Sequence, residues 1–405
     1  MIVVIFTFNT AVFSKTITVC STCEFHNISA ANEVVVDGDE ILVKAGVYQE
    51  QEINITKSII LRTDGEVIVD GENKGSVFNI SADNVVIDGF VIKNVEQSYI
   101  KEYAAIHFYK SRNFTVSNNI LENVFFGVLI EKSHDGKIFN NQISSFGKEE
   151  SSSGNGIHIW HSSRIEVHDN VVHNMRDGIY FEFVTKSKIF NNKSYNNLRY
   201  GLHFMFSNND DYYNNTFSHN GAGVAVMFSK FITMTGNTFI DNWGASSYGL
   251  LLKEIYDAEI VNNKFQRNTT GITLEGSTRI NYLENDFINN GWAVKVTGAC
   301  YKNDFRHNNF IGNSFDLSYN GQINDNKFDS NYWSNYAGYD LDKDGIGDVP
   351  FRPVKLFSYI VNQTPETIVL LRSLFVDIIN FSEKVSPVFT PDNLIDPHPM
   401  MKARQ

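Results

Sequence analysis

His203, Met205 and Met227 offer an imidazole and two thioethers, a soft donor set that favours Cu(I) over Zn(II) or Mg(II). Thioethers also bind without losing a proton, which suits an ion passed between carriers. His203 and Met205 stand two residues apart, so on an extended strand they share a face. Met227 lies 22 residues beyond Met205. The three meet only if the chain returns to the same place with that period.

It does return. A small residue followed by an apolar one recurs at Ala105-Ile106, Gly127-Val128, Gly156-Ile157, Gly178-Ile179, Gly201-Leu202, Gly223-Val224, Gly249-Leu250, Gly271-Ile272 and Ala293-Val294, in steps of 22, 29, 22, 23, 22, 26, 22 and 22 by subtraction. An asparagine column at Asn119, Asn141, Asn170, Asn192, Asn215, Asn237, Asn263 and Asn285 keeps the same beat, often with phenylalanine two places later. Short β-branched and aromatic runs between Asn, Gly and Ser are strand and turn chemistry. A period in the low twenties then means stacked coils that bury apolar side chains against their neighbours. Leucine-rich repeats share the length but need a Leu scaffold absent here. The expectation is all-β: a right-handed parallel β-helix of about 22-residue coils from about residue 35 to 350, with Asn and Phe ladders and an N-terminal cap. Asn belongs at the tight bends, where left-handed backbone is cheap. Polar insertions at 148–153 and 243–247 account for the two long steps.

Counted from each coil's glycine, offsets +1 and +3 are apolar and point inward, so +2 and +4 point outward. The +2 column holds His158, Tyr180, His203, Ala225 and Leu251; the +4 column holds Trp160, Glu182, Met205, Met227, Lys253 and Glu275. Rungs about 4.8 Å apart place His203, Met205 and Met227 on one solvent-accessible patch. The competing reading is methionine merely tolerated on a sheet face, but three soft ligands from only seven Met and 11 His converge here. His158, Trp160, Tyr180 and Glu182 either orient that patch or are simply solvated.

Other motifs carry weaker chemistry. Cys20 and Cys23, with His26 behind them, suit a local disulfide in an oxidising compartment or a soft metal-thiolate site; Cys300 reads as buried. Asp340, Asp342, Asp344 and Asp348 have a calcium-loop rhythm with Gly345 at the bend, though Phe351 stands where an EF-hand needs Glu. Calcium and an unloaded polar turn fit equally. Sugar chemistry, a frequent use of parallel β-helices, needs converging acids. Asp210-Asp211 sit in an apparent turn, Asp177 precedes a turn glycine, and Glu182 and Glu275, counted as three rungs apart, stand about 14 Å from one another. A non-enzyme is expected, with a carbohydrate-active enzyme or passive surface-binding module as alternatives.

A net charge of −12 disfavours nucleic acid as a partner. No apolar run reaches the about 18 residues of a spanning helix. Residues 1–14 read as a secretory signal peptide without the usual basic start, cleaved after Ser14. Residues 15–353 form the solenoid with its cap, and 354–405 a helical tail. In the tail Thr364-Pro365-Glu366 starts a helix whose apolar face is Ile368, Leu371, Leu374, Phe375 and Ile378.

The blocks RYGLHFMFS at 199–207, GVAVMFS at 223–229, NYWSNYAGYDLDKDGIGDVPF at 331–351 and DPHPMM at 396–401 resemble the NosD family of periplasmic accessory proteins for maturation of nitrous oxide reductase. The likeness spans nearly the whole chain, and the H-F-M block, the following M-F-S and the closing tail are its specific parts. It implies a transient Cu(I) carrier that works with the membrane and ATPase subunits of an ABC transporter. Copper would come from a membrane-anchored copper chaperone and go to the reductase's clusters. It also implies that the tail to Met401 helps dock the protein on the transporter, making it membrane-associated through that complex.

Overall fold

The structure, a computed structural model, describes residues 14–320, 325–371, 373–385 and 394–405. The proposed signal peptide therefore lies almost wholly outside the described residues. From Thr16–Val19 to Tyr332–Trp333 the strands pair in parallel, each with the strand one coil away. A typical coil carries one six-residue strand and two three-residue strands. The long strands stack into a twelve-stranded sheet. The short ones form two ladders, fused into a 25-stranded sheet by Glu40–Gln49 and Ile60–Asp70, which bend through both ladders.

The interior is one continuous apolar core from Ile17 to Trp333. The expected Phe ladder is present: Phe217, Phe239, Phe265 and Phe287 stack with centroids 5.6, 4.6 and 5.0 Å apart, and Phe310 and Trp333 extend the column. The asparagine column is a hydrogen-bonded ladder from Asn119 to Asn331. Each Nδ2 donates to the next Oδ1 at 2.9 to 3.1 Å. The two tasks assigned to one asparagine are divided between neighbours. Asn118, Asn140, Asn191, Asn214 and Asn262 take the left-handed backbone, and the next residue points inward and joins the ladder. A buried amide with every donor and acceptor engaged costs little.

At the N-terminal end, Asn27 caps the helix Ile28–Val34 by accepting from the Ala30 amide at 2.7 Å. Glu50 of the first coil accepts from the Ile28 and Ser29 amides at 2.6 and 2.8 Å and fixes the helix across the open end. Cys20 and Cys23 are joined as a disulfide beside it. Cys300 is buried and free.

The C-terminal part differs from a single helical tail. Leu356–Gln363 is an α-helix, Pro365–Leu370 a 3-10 turn, and Leu374–Val385 a second α-helix. Phe357, Val361 and Val376 pack on Trp292 and Phe315, on the outer face of the twelve-stranded sheet. The segment 394–405 then returns to the solenoid. Asp396 accepts from the Asn331 amide and Nδ2, both at 3.0 Å, and from Trp333 Nε1 at 2.9 Å, so a carboxylate ends the asparagine ladder. Arg404 reaches back to Asn309 and Glu284. The closing segment is thus part of the solenoid's end, because the last coil needs partners for its ladder.

Asp210 corrects the reading of Asp210-Asp211 as a turn. Asp211 begins the strand Asp211–Tyr213, and Asp210 is buried inside the coil. Its Oδ1 accepts from the Ser187 amide at 2.8 Å, while its Oδ2 has no partner. Burial pushes its carboxyl well above the usual range. The folded state therefore holds the proton more tightly than the unfolded chain, and stability is lost as pH rises from about 3.9 through the raised value. One coil earlier, Ser187 does the same job with a hydroxyl that accepts from the Ile165 amide. Asp210→Ser should accordingly stabilise the protein by about 1–3 kcal/mol near pH 8, with a gain that shrinks on acidification. Urea unfolding across that pH range checks it.

Candidate metal centre

The strands Asn155–Trp160, Asp177–Glu182, Tyr200–Met205, Ala222–Met227 and Leu250–Lys253 are consecutive rungs of the twelve-stranded sheet. Register pairs Met205 with Met227, Glu182 with Met205, and Tyr180 with His203. The two methionines are thus adjacent outward rungs, half-buried, with Cα atoms about 4.8 Å apart. His203 lies two residues before Met205 on the same strand, and its partner in the next rung is only Ala225. The same register puts Glu275 four rungs from Glu182, one more than the sequence count, so that acid pair is wider still at roughly 19 Å.

Burial departs from expectation at one of the three candidate residues. Met205 and Met227 reach solvent, but His203 is only 7% exposed. Parity along a strand fixes the face a side chain occupies, not what covers it there. Tyr180 and Tyr200 close over the imidazole, with ring centroids 5.0 and 4.8 Å away. Neither ring nitrogen of His203 has a hydrogen-bond partner. A buried polar atom left so costs about 1–3 kcal/mol, and a soft ion is one ligand that would satisfy it.

Asp177 is the neighbour that sequence reasoning set aside as structural. It is fully buried and bound in a two-pronged pair by Arg199, with Nε donating to Oδ1 at 2.8 Å. Its Oδ2 lies 3.7 Å from His203 Nδ1. Burial alone would raise its carboxyl, but Arg199 and His203 hold it below the usual range. A carboxylate beside one nitrogen of a histidine favours the proton there and leaves the other nitrogen free for a metal. The alternation rule missed Asp177 and Tyr200 because strand register skips the coil glycine after them. The pairing of an acid at 177 with a base one coil later at 199 was the available signal.

The surrounding rungs are specialised. Burial pulls the His158 imidazole down to about 4, with Arg176 adding to the effect, so it is neutral at neutral pH. Its ring meets Tyr180 edge-on at 4.7 Å. Glu182 accepts from the Tyr180 hydroxyl at 3.2 Å, and Trp160 lies under the Lys132 ammonium at 5.0 Å. Both tyrosines therefore cover the imidazole, and His158 packs behind Tyr180.

The other candidate sites stand apart. His26 Nδ1 is 3.2 Å from the Cys20 carbonyl oxygen, and a metal-thiolate site there requires the Cys20–Cys23 bond to be reduced first. Asp340, Asp342 and Asp344 bring carboxylate oxygens within 4.8 Å of one another, whereas Asp348 turns to the Leu341 amide at 2.7 Å. Asp340 accepts from the Gly345 amide and Asp344 from the Ile346 amide, at 3.0 and 2.7 Å, so the loop also closes on itself.

The site is thus a parallel solenoid with an imidazole and two thioethers in register on its outer sheet. The family model described as "Periplasmic copper-binding protein (NosD)" matches residues 32–150 and 139–338, and the chain belongs to that family. The chain is 27% identical over 378 residues to a probable ABC transporter binding protein NosD of Stutzerimonas stutzeri, covering 88% of this chain and 86% of that one. Its counterpart in Pseudomonas aeruginosa is 27% identical over 368 residues, 86% and 85% of the two chains. Among solved structures, a family 28 exopolygalacturonase of Yersinia enterocolitica superposes with a TM-score of 0.58 at 10% identity, over 78% of each chain. The mannuronan C-5 epimerase AlgE6 A-module of Azotobacter vinelandii gives 0.51 at 13%, over 74% of this chain and 91% of that one. At such identity these likenesses concern the solenoid alone. No helix among the described residues is long and apolar enough to cross a membrane.

Proposed function

We propose that this chain accepts Cu(I) at His203, Met205 and Met227 and passes it on for assembly of the copper sites of nitrous oxide reductase. The observation that carries the reading is His203, buried with no hydrogen bond to either ring nitrogen and with only Asp177 near Nδ1, on the same strand as one member of a paired methionine rung. The two thioethers form the outer, exchangeable part of the site, and the imidazole, with Asp177 beside it, the fixed part. An incoming ligand engages the ion at the methionines before the histidine releases it, so copper never passes through water. Anaerobic Cu(I) titration of the purified protein against a chromogenic chelator tests this. One ion retained per chain is expected; none retained would overturn the reading.

The proposal includes a donor, a membrane-anchored copper chaperone, and the membrane and ATPase subunits of an ABC transporter; the names of the relatives support the transporter association alone. The helical segment 356–385 is the part proposed to contact the transporter. It sits on the same outer sheet as the copper residues, and Ile368, Val369, Leu374, Phe375, Ile378 and Phe381 are exposed on it. Apolar side chains gathered so densely on one surface mark an interaction site. Because 394–405 completes the solenoid's end, removal of everything after Thr364 would also damage the fold. The cleaner variant changes Leu374, Phe375, Ile378 and Phe381 to serine. It should stay folded and lose co-purification with the transporter; unchanged co-purification would place the contact elsewhere. Calcium at Asp340, Asp342 and Asp344 would be a structural addition outside the copper path.

A further inference from the structure

The residue that turns the corner after each long strand has a positive φ, and its identity changes along the stack. Lys110 and Lys132 hold it early, and Glu254, Gly276 and Gly298 late. Between them the corner belongs to His161, Phe183, Phe206 and Phe228, with φ of 47, 53, 50 and 53°. Left-handed backbone disfavours a bulky side chain, and water disfavours a bare phenyl ring. The three phenylalanines bear both costs, being 40, 38 and 42% exposed. Their rings stack at 5.1 Å, and His161 stacks on Phe183 at 4.5 Å, making one ridge with its edges outward. Phe206 directly follows Met205, and Phe228 directly follows Met227. The aromatic corner is thus confined to the copper rungs and the two before them.

Lysines flank the ridge, and Glu254 takes the corner in the rung after Phe228. Lys132, Lys186 and Lys230 are exposed, and none forms an ion pair among the described residues. Lys230 lies over Phe231, itself half exposed, at 5.6 Å.

We propose that the ridge of Phe183, Phe206 and Phe228, with Lys132, Lys186 and Lys230, is the docking surface for the protein that exchanges Cu(I) with Met205 and Met227. That partner presents an apolar patch bordered by carboxylates. The inference rests on the copper reading and adds the surface and the chemistry of what binds there. Exchange by ligand replacement needs donor and acceptor ligands within a bond length of one ion, so docking must occur beside the methionines. Aromatic side chains flanked by exposed lysines supply an anchor and an electrostatic steer. Because the rings stack on one another, only their edges are free, which keeps the contact small and quickly reversed. A second copy of this chain is a poorer occupant, since it would set lysines against lysines.

The probe is a synthetic peptide with two Met-X-X-Met segments flanked by glutamates, compared with the same peptide carrying glutamines. Fluorescence anisotropy with the metal-free peptides reads docking alone. The acidic peptide should bind about tenfold more tightly than the neutral one at low salt, and the difference should vanish at high salt. The variant Phe183→Gly, Phe206→Gly, Phe228→Gly keeps a corner residue that Gly276 and Gly298 already show to be compatible with the fold. It should lose the docking and take Cu(I) from the loaded acidic peptide about tenfold more slowly, with equilibrium copper content unchanged. Equal binding of the two peptides, or an unaltered transfer rate in the glycine variant, would overturn the surface while leaving a positive copper titration untouched. Docking by a parent protein that retains no copper would instead remove the copper reading, and the exchange role with it.

Discussion

The triple variant His203→Ala, Met205→Ala, Met227→Ala should bind Cu(I) about a hundredfold or more weakly than the parent, equivalent to ~3 kcal/mol, and should still unfold at nearly the parent's urea concentration. The two methionines are half-buried side chains on the outside of the sheet, and their truncation costs within about 1 kcal/mol. Removing His203 opens a small cavity beneath Tyr180 and Tyr200 but also deletes two buried ring nitrogens that make no hydrogen bond, while Asp177 keeps its pair with Arg199, so the opposing effects nearly cancel. In cells carrying only this variant, nitrous oxide reductase should accumulate without copper. A variant that binds Cu(I) like the parent and supports fully loaded reductase would show that the ligands are elsewhere.

Asp396→Ala should be the most damaging single change at the solenoid's end, lowering stability by about 3–5 kcal/mol. The carboxylate is fully buried and accepts from the Asn331 amide and side chain, Trp333 Nε1 and the Ser330 amide. Alanine leaves the Asn331 and Trp333 donors buried without an acceptor and frees the segment 394–405. Asp396→Asn retains one oxygen for Asn331 and Trp333 and should fall between the two. A urea midpoint for the alanine variant equal to that of the parent would show that the closing segment does not hold the last coils.

The solenoid was readable because its signals repeat. Two marker columns, the coil glycine and the ladder asparagine, place every long strand from Ala104–Tyr109 to Trp292–Thr297 without reference to anything distant. The outward side of Met205 and Met227 followed from the same parity. Non-periodic features escaped. The burial of His203 depends on Tyr180 and Tyr200, one of which sits at a position where the alternation breaks. Asp177 reads as a turn residue until Arg199 is seen one coil later. Asp396 lies 65 residues from Asn331, and nothing local says that it ends that ladder. In the tail the pattern of Ile368, Leu371, Leu374, Phe375 and Ile378 correctly indicates helix but not its division into a 3-10 turn and a second helix, since Pro365 permits either start.

The asparagine ladder runs one way. Every side-chain amide from Asn119 to Asn331 gives one hydrogen to a side-chain oxygen toward the C-terminal end and the other to a backbone carbonyl of the coil before, so the row of side chains has a head and a tail, like magnets laid pole to pole. A second molecule could continue such a row only by setting its own first acceptor against the last donor. Repeated without closure, that contact produces a filament rather than a dimer. Asp396 already occupies the acceptor's place, supplied by the same chain, and a single carboxylate thereby sets the length of an arrangement that has no internal reason to stop.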